Sequence, residues 1–139
     1  MFDTKYSMEN KHKHLEFIQA IINRMANHSF IMKGWAITLV VALFVLVPKH
    51  PDKKCIVIAF LPVVVFWILD GYFLSRERKF RYLYDEVRKK NDKEIDFSMD
   101  VSNFKEWKIN WFCSVFSKTL LFFYISLVGA MLIVYYLIK

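Results

Sequence analysis

Cys55–Leu74, CIVIAFLPVVVFWILDGYFL, runs straight on into Ser75–Lys90, SRERKFRYLYDEVRKK. The first segment is apolar apart from Asp70, and its twenty residues, at ~1.5 Å each, cross the ~30 Å hydrocarbon core of a bilayer. The second holds no Gly or Pro to stop a helix and is dense in cations. Together they read as one rod that leaves the membrane and projects ~25 Å into water on its basic side. Glu77 with Arg81, and Glu86 with Lys90, are acid-first pairs four apart that support an exposed helix. Phe80, Leu83, Tyr84 and Val87 line one face of the rod. A stripe at that spacing packs on a neighbouring helix more often than it binds a ligand, and the N-terminal helix is the candidate neighbour.

Working outward, the 139 residues are 56% hydrophobic and 18% aromatic, more apolar side chain than a soluble domain of this size buries. With three Gly, three Pro and no alternating strand-length segments, the chain reads as all-α. The expected fold is a single integral membrane helical bundle over residues 1–139. It has three transmembrane helices, an N-terminal amphipathic helix and a cytoplasmic helical extension of the second span.

Upstream, Met1–Asn10 reads as a loose polar lead. In residues 14–27, HLEFIQAIINRMAN, Leu15, Ile18, Ile22 and Met25 recur at spacings of three and four, an amphipathic helix that either lies in the membrane interface or packs on the rod. Asn27, His28 and Ser29 then interrupt the pattern, with Ser29 as a cap. Span one is 30–47, closed by Pro48. The connection PKHPDKK is short enough to force a tight antiparallel hairpin into span two, 55–74. Within span two, Pro62 removes a backbone hydrogen bond and bends the helix.

Downstream of the cytoplasmic helix, 75–90, NDKEIDFSMDVSN reads as an acidic loop returning to the bilayer. Phe104, Trp107 and Trp111 mark the interface on re-entry. Span three is 111–138, with Trp111–Lys118 extending the same helix into the headgroup zone and Tyr135 and Tyr136 at the outer interface. Thr119, Ser126 and Ala130 form a small-residue face suited to close packing or to lining a pore.

The formal charge of +7 is distributed unevenly. If the N-terminus and the middle loop share a side, that side holds 14 of the 20 Lys and Arg and the other holds 4. The positive-inside rule then puts both in the cytoplasm and the C-terminus outside, so the basic character reports topology rather than direct nucleic-acid binding. The first span would serve as its own uncleaved signal. Cys55 and Cys113 would lie at opposite membrane faces, too far apart to bridge within one chain.

Three ionisable residues interrupt apolar sequence: Lys33, Asp70 and Lys118. Under this topology all three reach one depth near the inner leaflet, where Asp70 needs a cationic partner because an isolated charge in hydrocarbon costs several kcal/mol. The cluster either registers the helices or gates an oligomeric pore. Arg76, Arg78, Lys79 and Arg81 form a basic collar that suits lipid headgroups or an anionic ligand such as a cyclic nucleotide. No catalytic constellation, metal set or cofactor motif is evident. Gly34, Gly71 and Gly129 are far apart, and His12 and His14 would face apart on a helix. Arg24 and His28 enclose one residue fewer than the Arg-x4-His motif of HEPN ribonucleases.

The stretches HLEFIQAIINRMANHSFIMKGWAITLVVALF and LDGYFLSRERKFRYLYDEVR resemble a family of small bacterial membrane proteins of unassigned role. In layout, spans with helices projecting into the cytoplasm, the chain is similar to the SLATT-type membrane effectors of anti-phage defence, from whose two-span pattern the third span departs. The resemblance implies a homo-oligomer in the bacterial inner membrane that permeabilises the bilayer when a cytoplasmic sensor protein or nucleotide second messenger acts on it. The alternatives are a non-conducting anchor or assembly subunit that holds a soluble partner, or a small transporter component.

Overall fold

Between Met1 and Val47 the chain holds one glycine, Gly34, and no proline, so the backbone has no cause to leave a helix before Pro48. The computed structural model describes the backbone of residues 2–46, 53–104 and 110–138. There the N-terminal stretch is one helix, α1 (Phe2–Leu46), roughly 65 Å long at 1.5 Å per residue. This corrects two expectations. Phe2–Asn10 is helical rather than a loose lead, and Asn27–Ser29 lie in mid-helix rather than at a break. Polar residues weaken a helix only slightly, and Ser29 is buried there instead of capping a new one.

The second span and the rod form one element, α2 (Lys53–Lys89), which runs through Pro62. A single 3₁₀ turn at Asp92–Glu94 follows. Residues 95–104 form an irregular strip, and further along the chain lie the short α3 (Trp111–Val115) and α4 (Lys118–Ile138). Among the described residues there is no strand, and three helices are long and apolar enough to cross a membrane. Most of the hairpin connection Pro48–Lys54, the Cys55 side chain and Trp107 lie outside the described residues.

α1 and α2 are an antiparallel pair with two cores. In the apolar half, Ala36 and Val40 of α1 pack with Ala59 and Val63 of α2 and with Leu120, Tyr124 and Met131 of α4. In the rod, Ile18 and Ile22 of α1 pack with Leu83 and Val87 of α2 and with Val101, flanked by Leu15, Phe80, Tyr84 and Phe104. In the rod, each such buried Ile, Leu or Val contributes on the order of 1.5–3 kcal/mol. The amphipathic face of α1 therefore covers the rod. Phe104, expected at the membrane interface, instead joins the rod, its ring 6.4 Å from that of Tyr82. It lies there because the segment after α2 folds back along the rod and buries Val101.

That returning strip has no strand partner, so short polar side chains satisfy its backbone. Asp96 Oδ1 accepts from the Ser98 N–H at 3.1 Å, and Asp100 Oδ1 from the Ser102 N–H at 2.8 Å. Phe97 takes φ 54°, which brings its ring to 5.3 Å from that of His14. His14 is 1% exposed, with Nε2 3.1 Å from the Ser98 carbonyl oxygen. At the rod tip, Lys11 donates to the Lys90 carbonyl at 2.7 Å and pairs with Asp92 at 3.2 Å, which places a cation at the C-terminus of α2.

Span three departs from the expected single helix over 111–138. Helical geometry lapses at Phe116 and Ser117, and Ser117 begins α4 by accepting from the Leu121 N–H at 2.9 Å. The break lets α3 lie against α2. Trp67 Nε1 donates to the Val115 carbonyl at 2.9 Å, and Trp111 Nε1 to the Ile68 carbonyl at 3.3 Å. Gly71 makes room for Val115 at this crossing.

Candidate intramembrane polar site

Ser29 and Lys33 stand one turn apart on α1, so their side chains share a face. That face meets α2 at Asp70, which is fully buried. Lys33 Nζ lies 2.6 Å from Asp70 Oδ2, 2.8 Å from Ser29 Oγ and 3.4 Å from the Ser29 carbonyl oxygen, so each of its three N–H groups has an acceptor. The Ser29 hydroxyl in turn donates to Asp70 Oδ1. From α4, the Tyr124 hydroxyl donates to Asp70 Oδ2 at 3.4 Å.

The aromatic surroundings fix this layer. The Lys33 ammonium lies 5.8 Å from the centroid of Phe123. Trp67, one helical turn from Asp70 on α2, stacks on Tyr124 with centroids 5.9 Å apart and planes at 19°. The indole N–H of the same Trp67 holds α3 through the Val115 carbonyl. α1, α2 and α4 thus converge on one carboxylate, sited between the core of the apolar half and the rod core.

The arrangement separates the residues named from sequence. Lys33 and Asp70 are brought together. Lys118 is not: it is exposed and makes no ion pair among the described residues. α4 starts at Lys118, so the residue of α4 level with Asp70 is Tyr124, six residues further on, or ~9 Å along the axis. On the rod, Leu83 and Val87 are buried, and Phe80 and Tyr84 pack at the edge of the same core. That stripe therefore meets α1 and the returning strip, and is not an open partner surface. Arg81 pairs with Glu77 at 2.7 Å, and Arg78 reaches the buried Ser114 hydroxyl at 3.4 Å. Arg76 donates from Nε to the Tyr72 hydroxyl at 3.2 Å and lies over its ring, and Lys79 is half-buried. Thr119, Ser126 and Ala130 are exposed on α4.

Sequence reasoning missed Ser29 and Tyr124. Ser29 was legible as the residue four before Lys33 once a helix continuous through Asn27–Ser29 is allowed. A tyrosine well inside a span carries a hydroxyl that lipid cannot satisfy, which marks Tyr124 as needing a polar partner. Chemically, the layer holds one anion and one cation in hydrogen-bond contact with two hydroxyls. Among the described residues no group of three or more His, Cys, Asp or Glu is placed to hold a metal ion.

No protein-family model, no curated protein and no solved structure matches this chain.

Proposed function

We propose that this chain is an oligomeric effector of the bacterial inner membrane, with its N-terminus in the cytoplasm and its C-terminus outside, that dissipates the membrane gradient when a cytoplasmic signal acts on the rod. One observation carries the reading: the Ser29–Lys33–Asp70–Tyr124 layer ties all three long helices together at the root of the rod. A displacement of α1 against α2 in the rod reaches the spans through that layer, a polar tie shared by α1, α2 and α4. With every Lys33 donor satisfied, the arrangement corresponds to a closed resting state. The role in anti-phage defence rests on the layout shared with SLATT-type effectors.

A second reading, a non-conducting anchor for a soluble partner, is favoured by the completeness of the same network inside one protomer. It needs no second copy and serves equally as a structural pin. Depolarisation of cells overproducing the chain, followed with a potential-sensitive dye, separates the two. An effector lowers the potential, and Asp70→Asn abolishes that effect or makes it constitutive. Potentials equal to those of control cells for both the parent and Asp70→Asn would overturn the effector and leave the anchor.

A further inference from the structure

Along the rod most cations are matched by a carboxylate, with Lys89 at its tip an exception. Arg81 pairs with Glu77, Arg88 with Asp85, Lys90 with Glu86, Lys13 with Glu9 and Lys11 with Asp92. The matching stops at the end of the rod nearest the spans. Arg24 of α1, Arg76 and Lys79 of α2 and Lys118 of α4 have no carboxylate within ion-pair distance among the described residues. Arg76 is held in place by a neutral group, its guanidinium 5.5 Å from the centroid of the half-exposed Tyr72 ring.

These four cations lie in one narrow band. Arg76 and Lys79 follow Asp70 by six and nine residues, Lys118 precedes Tyr124 by six, and Arg24 precedes Ser29 by five. At 1.5 Å per residue each lies on the order of 7–14 Å from the buried polar layer, toward the rod. Three helices therefore present unmatched positive charge at a common height just beyond the apolar spans. Such a ring complements a plane of negative charge, not a single soluble anion in a cleft.

We propose that Arg24, Arg76, Lys79 and Lys118 form a collar that binds the phosphates of anionic phospholipids. The inference rests on the reading that the three long helices cross a bilayer, and it gives that reading a lipid preference. It narrows the basic set expected from sequence: Arg81 is matched by Glu77, Arg78 reaches Ser114, and Arg24 and Lys118 join from other helices. The rod cations lie further out, Arg88 some eighteen residues beyond Asp70. That is ~27 Å from Asp70 along the helix and ~14–18 Å, about two Debye lengths at physiological salt, from Lys79 and Arg76.

The test uses the full chain in nanodiscs of phosphatidylcholine, alone or mixed with phosphatidylglycerol, with retained lipids counted by native mass spectrometry. The parent should retain phosphatidylglycerol in preference to phosphatidylcholine. Each cation at an anionic surface is worth about fivefold, so R76Q/K79Q/K118Q should lower that preference by on the order of a hundredfold before screening. The control R88Q/K89Q/K90Q removes as many cations from the rod tip and should leave it nearly unchanged. Equal losses in the two triple variants, or none in the collar variant, would overturn the collar. So would saturable binding of a cyclic dinucleotide in phosphatidylcholine nanodiscs that the collar variant abolishes, because the phosphate source would then be soluble. Failure of the parent to insert into phosphatidylcholine nanodiscs would overturn the membrane-spanning reading and the collar with it.

Discussion

Lys33 Nζ and Asp70 Oδ2 stand 2.6 Å apart, the amine on α1 and the fully buried carboxylate on α2. Removing one partner leaves the other charge in an apolar site, whereas removing both charges together leaves none. Lys33→Met should therefore destabilise the chain by about 3–5 kcal/mol, and Lys33→Met with Asp70→Asn should recover most of that loss. The asparagine oxygen still accepts from Ser29 and Tyr124. A double-mutant cycle from denaturant unfolding in detergent measures the coupling, and additive single effects would show that the pair does not act as a unit.

Gly71 and Val115 illustrate the opposite kind of constraint, a site where an added atom does harm. A Cβ on Gly71 would overlap Val115 Cγ2 and stand 3.0 Å from the Val115 Cα, which is backbone-bound and cannot swing away. Gly71→Ala should cost about 1–3 kcal/mol by pushing α3 off α2. Gly34 and Gly129 have nothing within 4 Å of the added carbon, so alanine there should be neutral or stabilise the helices by up to about 1 kcal/mol. Thermal unfolding of the three variants in one detergent gives the comparison. Equal shifts at all three positions would show that the α2–α3 crossing is not close-packed in solution.

The features legible from sequence were those set by one helix's own pattern. Length and apolarity gave the three candidate spans, and the spacing of Phe80, Leu83, Tyr84 and Val87 gave a packing stripe that does meet α1. Lys33 and Asp70 could be paired because each lies four to five residues from the same end of the antiparallel apolar segments. What stayed hidden depends on tertiary choice. Asn27–Ser29 looks like a break because its polarity is local, while the reason Ser29 stays helical is Asp70 on another helix. The lapse at Phe116–Ser117 carries no Gly or Pro, and arises where Trp67, Gly71 and Trp111 dock α3. Placing Lys118 level with Asp70 failed for that reason, since the register of α4 follows from the lapse.

His14 is one of the contacts that hold the returning strip to α1, beside the packing of Val101 on Ile18 and Ile22. Its ring is buried, accepts the Phe97 side chain at 5.3 Å and meets the Ser98 carbonyl through Nε2. His14→Ala removes the ring packing and that hydrogen bond together and should cost on the order of 2–4 kcal/mol. The loss should be local. Hydrogen exchange should speed up in the strip Ile95–Phe104 and in the rod end of α1, and remain unchanged at Tyr124 and around Asp70. Uniform deprotection of the spans and the rod would show instead that the two cores unfold as one unit.

The strip should also respond to acid, with a sign set by its two aspartates. The Ser98 backbone N–H holds the Asp96 carboxylate below the usual range, and the Ser102 backbone N–H, helped by the Ser102 side chain, does the same for Asp100. A carboxyl group whose folded value is depressed stabilises the folded form above its unfolded value of roughly 3.9, and loses that contribution as pH falls through the lowered folded value. Both groups are solvent-exposed, so the effect is confined to the turns they form and reaches neither core. The protection factors of the Ser98 and Ser102 amides, exchange relative to the unfolded rate at each pH, should be unchanged from pH 7 to about pH 5 and should decline once the pH drops below about 4. Asp96→Asn and Asp100→Asn keep an acceptor oxygen without the titration, so their protection should be flat across that range. A wild-type profile that is flat as well would mean that the ionised carboxylates do not hold these turns.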